Sequence, residues 1–200
     1  MKDLEYWKQR WTQYATHKPN EFALATWAFL KDINISTLLD VGCGDGADSI
    51  FFHSQGIRVT ALDFSDSGIE HLRALAPNIT AVHQDILEMD FADNSFDVIY
   101  AHLSLQYFDD VNTTNIFHKL HRILKKGGYI FIKCKSVDDP LYGQGEKIGE
   151  DMFYLKHVRH FFSKKYMAEK LKNFTVIRVD ATTGNYHEHS SAFIEAVATK

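Results

Sequence analysis

The stretch Leu38-Leu39-Asp40-Val41-Gly42-Cys43-Gly44-Asp45-Gly46 restricts the possible folds of this chain more than any other. An apolar run broken by one acid ends in three glycines at alternate positions. The physical reading is a buried strand that breaks into a tight turn and then opens a helix. Glycine has no Cβ, so it tolerates positive φ and lets another molecule approach the backbone. The helix start offers free N–H groups and the positive end of its dipole. Such a turn is a nucleotide-type site.

The surrounding pattern supplies the sheet that such a turn needs. From residue 37 onward, strand and helix signals alternate. Strands are expected over 37–41, 58–63, 79–83, 96–102 and 129–133. Helices fall between them over 47–55, 65–76 and 113–124, the last closed by Lys125-Lys126-Gly127-Gly128. This repetition implies a parallel sheet with helices on both faces. A short helix over 163–171 precedes two strand-like runs, 175–180 and 192–198. They are joined without room for a crossover helix, so they form an antiparallel hairpin. The expected fold class is α/β, a Rossmann-like three-layer sandwich whose seven-stranded, mostly parallel sheet ends in that hairpin.

We read residues 1–200 as a single domain. Residues 1–35 form N-terminal helices, the first with Leu4, Trp7, Trp11 and Tyr14 on one face. Pro19 and Asn20 break that helix from the next. Residues 136–160 are polar and glycine-bearing with no sustained period, which suggests an insertion on the substrate side.

Composition narrows the classes of function. A chain of 200 residues, 45% hydrophobic and 24% charged, is an ordinary globular protein. Its net charge of -4 argues against a dedicated nucleic-acid binder. No window approaches the ~20 apolar residues needed to span a membrane. Two distant cysteines, Cys43 and Cys134, are no disulfide framework and suit a reducing cytoplasm. A monomer or a homodimer is expected.

The glycine turn alone leaves its ligand open. Gly42, Gly44 and Ala47 satisfy a permissive dinucleotide pattern, and Asp63 stands where a ribose-binding acid would in either kind of site. Three features discriminate: Asp40 ahead of the first glycine, a third glycine at Gly46, and the closing hairpin. Asp-Val-Gly-Cys-Gly-Asp-Gly at 40–46 resembles the first motif of class I S-adenosylmethionine-dependent methyltransferases. The likeness continues through Thr60-Ala61-Leu62-Asp63-Phe64-Ser65, Gln84-Asp85-Ile86, Ser95-Phe96-Asp97-Val98-Ile99-Tyr100 and Arg122-Ile123-Leu124-Lys125-Lys126-Gly127-Gly128. All five motifs fall in order on the expected elements. The last third is similar to the small-molecule branch, which includes tellurite- and thiopurine-type enzymes. DNA adenine methyltransferases of this fold carry Asn/Asp-Pro-Pro-aromatic after strand four; this chain has Ala101-His102-Leu103-Ser104-Leu105 there.

The resemblance implies S-adenosylmethionine as cofactor and a small molecule as methyl acceptor, with no nucleic-acid or membrane partner. It implies that Gly42, Gly44, Gly46 and Asp40 hold the methionine end, Asp63 the ribose hydroxyls, and Phe64, Asp85 and Ile86 the adenine. The Ala101 or His102 carbonyl would hold the ammonium group. His102 is the candidate general base, if one is needed. Trp7, Trp11, Tyr107, Tyr142 and Phe153 are the expected acceptor enclosure, with His187 and His189 on a substrate-facing loop. No metal site is expected. Asp97 reads as a turn acid and Cys43 as a small residue in a crowded loop. Two rival readings are an NAD(P)-binding Rossmann oxidoreductase and a non-catalytic cofactor-binding protein.

Overall fold

Five parallel strands run side by side and a long hairpin closes them on one edge. A computed structural model describes residues 18–186 and 189–200. The strands are β1 (Thr37–Val41), β2 (Arg58–Asp63), β3 (Thr80–His83), β4 (Phe96–His102), β5 (Leu124–Lys135), β9 (Thr175–Tyr186) and β10 (His189–Thr199). Their order is β3-β2-β1-β4-β5-β10-β9. β10 is antiparallel to both β5 and β9. The seven strands and the terminal hairpin are those expected. Between β1 and β4 the connections change direction, and ligands bind at that point in open α/β sheets.

Helices α1 (Glu21–Leu30), α2 (Ala47–Ser54) and α3 (Asp66–Leu75) cover one face. Helices α4 (Asp110–Ile123) and α5 (Lys164–Lys170) cover the other. Side chains alternate across a strand, and β5 shows the consequence. Ile130, Ile132 and Cys134 join Ile116, Phe117, Leu120 and Met167 in one core. Tyr129 and Phe131 turn to Phe22, Leu38, Phe52 and Tyr100 in the other. Each fully buried aliphatic or aromatic side chain contributes about 1.5–3 kcal/mol. Among the described residues no helix is long and apolar enough to cross a membrane.

Two sequence expectations change here. First, Lys125 and Lys126 do not close α4. The chain passes straight from Ile123 to an extended Leu124, and Lys125–Gly128 loop out where Phe96 pairs Leu124 but Val98 pairs Tyr129. A cation that does reach the end of α4 is Lys200, whose Nζ donates to the Leu124 and Arg122 carbonyls at 2.8 and 3.2 Å. Second, residues 136–160 include a small antiparallel sheet: β6 (Glu146–Gly149), β7 (Met152–Leu155) and β8 (His157–His160). Four-residue strands are too short to show a period in the sequence.

Asp97 is also more than a turn acid. Its Oδ2 accepts from the Thr37 and Ser36 N–H groups at 2.9 and 3.0 Å and from both hydroxyls. Its Oδ1 meets Lys125 Nζ at 2.8 Å. This carboxylate clamps the start of β1 to β4. Burial works to raise its pKa, but the hydrogen bonds from Lys125, Thr37 and Ser36 outweigh it and hold the carboxyl well below the usual range. We expect Asp97→Ala to cost about 2 kcal/mol in urea unfolding. The depressed native pKa means the contribution is complete above about pH 4 and is lost as pH falls toward the native value. The gap between wild type and variant should therefore narrow in acid.

Candidate active site

The turn after β1 is shaped by its glycines. Gly42, Gly44 and Gly46 have φ of 78°, 57° and 82°. A Cβ at Gly42 would strike the Ser104 side chain, and one at Gly46 would lie 2.5 Å from Leu72 Cδ1. The loop is thus pressed between the end of β4 and α3, with no side chains of its own at these points. Its amides are fixed from below. Asp63, at the end of β2, accepts from Gly44 N–H at 2.9 Å through Oδ2 and from Ser65 N–H at 2.8 Å through Oδ1. One carboxylate therefore sets the glycine turn and the start of α3, which Ser65 caps. The Phe64 amide is a further hydrogen-bond partner; an ionised carboxylate has about four acceptor positions, so acceptor capacity remains for a ribose hydroxyl.

Carboxylates crowd this turn. Asp40 is 2% exposed and accepts from Ser49 Oγ at 2.6 Å. Burial, then the nearby Asp48, Asp63 and Asp45 carboxylates, push its pKa well up, against the Ser49 hydrogen bond. Burial likewise raises Asp63, against the Ser65 and Gly44 amides. Burial pushes Asp48 to about 6, despite hydrogen bonds from Asn20 and Tyr100. Buried acids with raised pKa disfavour their charged form, and a ligand that brings positive charge relieves them. Burial, aided by Asp63 and Asp40, also raises the Cys43 thiol, away from the reactive thiolate.

Phe64, Asp85 and Ile86, the expected adenine-side residues, lie at and just beyond the ends of β2 and β3. Asp85 is exposed and caps the 3-10 turn Ile86–Glu88 through the Leu87 N–H at 2.8 Å. Its other oxygen stays available. Phe64 is partly exposed, and its carbonyl meets His83 Nε2 at 2.9 Å. Ile86 is 7% exposed. Asp40 pairs with Tyr100 across β1 and β4, so Ala101 and His102 end β4 beside the glycine turn. The next residue, Leu103, has φ of 55°, a strained value for leucine, and Ser104 Oγ donates to the Val41 carbonyl.

On the acceptor side the rings part company. Tyr107 packs against His157 with centroids 5.3 Å apart. Tyr142 and Phe153 stand edge-on to each other at 5.1 Å, both against Phe161. Phe153 is 8% exposed, so most of its surface is spent within the small sheet. Trp7, Trp11 and His187 lie outside the described residues, and His189 is placed as the first residue of β10.

Several site residues had no distinctive sequence signal. Asn20, read as a helix cap, does cap α1 through the Ala23 N–H at 2.9 Å. Its side-chain amide also donates to Asp48 Oδ2, its backbone N–H donates to Asp48 Oδ1 at 3.0 Å, and its amide nitrogen faces His102 Nδ1 at 3.1 Å. Tyr100, a strand residue in pattern, donates to Asp48 Oδ2 at 2.9 Å. Lys133 forms an ion pair with Glu195 at 2.8 Å, and Lys135 with Asp139 at 2.8 Å, both little exposed. An acid two residues after a glycine turn is the one cue that could have raised Asp48.

A family model described as a methyltransferase domain matches residues 38–128, the span from β1 to the start of β5. The matched core is that of a class I S-adenosylmethionine-dependent methyltransferase. It is 32% identical over 142 residues to a demethylmenaquinone methyltransferase of Staphylococcus epidermidis, covering 68% of this chain and 56% of that protein. It is 26% identical over 134 residues to a malonyl-[acyl-carrier protein] O-methyltransferase of Hamiltonella defensa, covering 66% and 50%. The chain thus spans about half the length of these curated relatives. Among solved structures, an S-adenosylmethionine-dependent methyltransferase of Methanosarcina mazei shares the fold with a TM-score of 0.76 at 19% identity, over 86% of this chain and 96% of that one. The family's cofactor fits the residues found: a glycine cradle that a Cβ would fill, an acid with acceptor positions to spare, and buried carboxylates suited to a cation.

Proposed function

We propose that this chain transfers a methyl group from S-adenosylmethionine to a small-molecule acceptor. The observation that carries the reading is Asp63, which fixes the glycine turn and the start of α3 at once and keeps acceptor positions at the cleft. Gly42, Gly44, Gly46 and Asp40 would hold the methionine end, and Phe64, Asp85 and Ile86 the adenine. The Ala101 and His102 backbone would meet the ammonium group. When bound, the cofactor supplies a methyl group already activated on a sulfonium. The protein's work is then alignment and exclusion of water, which can supply much of the rate. Asp40 and Asp48 stabilise positive charge before transfer.

The acceptor is proposed to lie beyond His102, with Tyr107 nearest in sequence. Trp7 and Trp11 are proposed as its cover because the chain arrives at Asn20 in contact with His102. Tyr142, Phe153, His187 and His189 are proposed to bound the far side. The relatives named above act, by their names, on a quinone precursor and an acyl-carrier conjugate, so a small organic acceptor is the class to test first. Free Cys43 and Cys134 suit a cytoplasmic setting.

Calorimetric titration is expected to show binding of S-adenosylhomocysteine and none of NADH; the reverse would establish the dinucleotide reading. Release of S-adenosylhomocysteine over a panel of carboxylic acids, phenols, thiols and amines should then find an acceptor. Cofactor binding without turnover on any of them would favour a non-catalytic binder.

A further inference from the structure

We propose that Asn20 holds His102 as the Nε2–H tautomer of a neutral imidazole, so that His102 meets the methyl acceptor as a hydrogen-bond donor and not as a base. This rests on the methyl-transfer reading. The orientation of the Asn20 amide decides it. Its Oδ1 accepts from the Ala23 N–H at 2.9 Å, a backbone donor that cannot exchange roles. Tyr100 OH approaches the same oxygen at 3.3 Å. The amide nitrogen is therefore the atom facing Asp48 Oδ2 and His102 Nδ1. An amide nitrogen only donates, so Nδ1 must offer its lone pair and the ring proton sits on Nε2.

The groups around the ring oppose a second proton. Phe22 of α1 and Tyr100 of β4 stack near it, with centroids at 6.0 and 6.4 Å. Lys133 of β5, paired with Glu195 of β10, contributes positive charge, and Asp48 of α2 is engaged by Asn20 and Tyr100. Burial, then Lys133, push the imidazole down to about 3. Protonating Nδ1 would also set one N–H against another. His102 is partly exposed, and its Nε2 has no partner among the described residues. The free N–H is what the ring offers to a ligand.

This has a consequence for the acceptor. It should present an oxygen or other lone-pair group to His102 and arrive with its nucleophilic lone pair already available. In the transfer that lone pair forms the new bond to carbon, and the electron pair of the broken bond stays on sulfur. Any acceptor proton goes to water. Asn20 is a positioning residue in this scheme.

The test is a two-bond proton–nitrogen spectrum of the histidine-labelled full chain, with and without S-adenosylhomocysteine, using His102→Gln to assign the signals. The expected result is a pyridine-type Nδ1 and a pyrrole-type Nε2, unmoved between about pH 8 and about pH 5, where an ordinary imidazole titrates. A pyrrole-type Nδ1, or titration in that range, would overturn the proposal. Asn20→Ser keeps a helix cap but loses the amide donor, and it should shift His102 toward a mixture of tautomers. With the best acceptor of the panel, His102→Gln, which keeps an N–H near the Nε2 position, should stay within about tenfold of wild type. His102→Phe should lose about 100-fold. Equal losses, or no loss in either, would also overturn it. Wild type that binds S-adenosylhomocysteine but shows the wrong tautomer defeats only this inference; wild type that binds none defeats the methyl-transfer reading.

Discussion

Asp63→Ala is expected to weaken S-adenosylhomocysteine binding by at least about 100-fold in calorimetric titration. Two effects combine. The carboxylate would lose its hydrogen bonds to the ligand's ribose, each about 1.5–3 kcal/mol for a charged partner. The Gly44 and Ser65 amides would also lose the acceptor that orients them, so the cradle itself would loosen. Asp63→Asn separates the two. An asparagine can satisfy one amide with its oxygen but turns an N–H toward the other. It should therefore fold better than the alanine variant while still binding poorly. Affinity within threefold of wild type in Asp63→Ala would mean that the ribose lies elsewhere.

Gly46→Ala should produce a large loss of stability. The residue sits at φ 82°, where an L side chain pays about 1–2 kcal/mol. Its Cβ would stand 2.5 Å from Leu72 Cδ1, and Leu72 is fully buried in the core beneath α3. Overpacking of this kind costs about 1–3 kcal/mol more. For a chain of this size a total near 3 kcal/mol lowers Tm by roughly 6–12 °C. Adding Leu72→Ala should relieve the collision but not the backbone strain, and the cavity it leaves would add its own cost. If Gly46→Ala melts with wild type, the loop is not pinned against α3 as described.

The sheet was legible because its evidence is local and repeated. Apolar runs, caps such as Ser65 and the glycine turn each mark one element, and their order fixes the layers. The proposed cofactor residues Asp40, Asp63 and Asp85 come together for the same reason, since they lie at or just past strand ends that any such sheet brings to one edge. Long-range partners were not legible. Nothing in the sequence ties Asn20 to His102, 82 positions away, or Lys200 to the end of α4. Asp97 looked like a turn acid because its partners, Ser36 and Thr37, lie 61 and 60 positions earlier. The small sheet of β6, β7 and β8 escaped notice because each strand is one short pairing, meaningful only beside the others.

The reversal of β10 alters what the sheet can deliver to its ligand edge. In an all-parallel sheet, every return connection after a strand leaves that edge by a helix and comes back at the opposite one. Here β10 runs against β5, with Phe193 beside Lys135, and continues outward to His189 beyond the end of its neighbour. The end of the hairpin, where Tyr186 pairs with His189, therefore lies on the same side as the segments that follow β4 and β5. None of these three connections shares a residue with the glycine turn. Beyond Ser104, which packs on Gly42, their lengths and compositions can drift independently of the cradle, so one cofactor scaffold can serve a succession of acceptors.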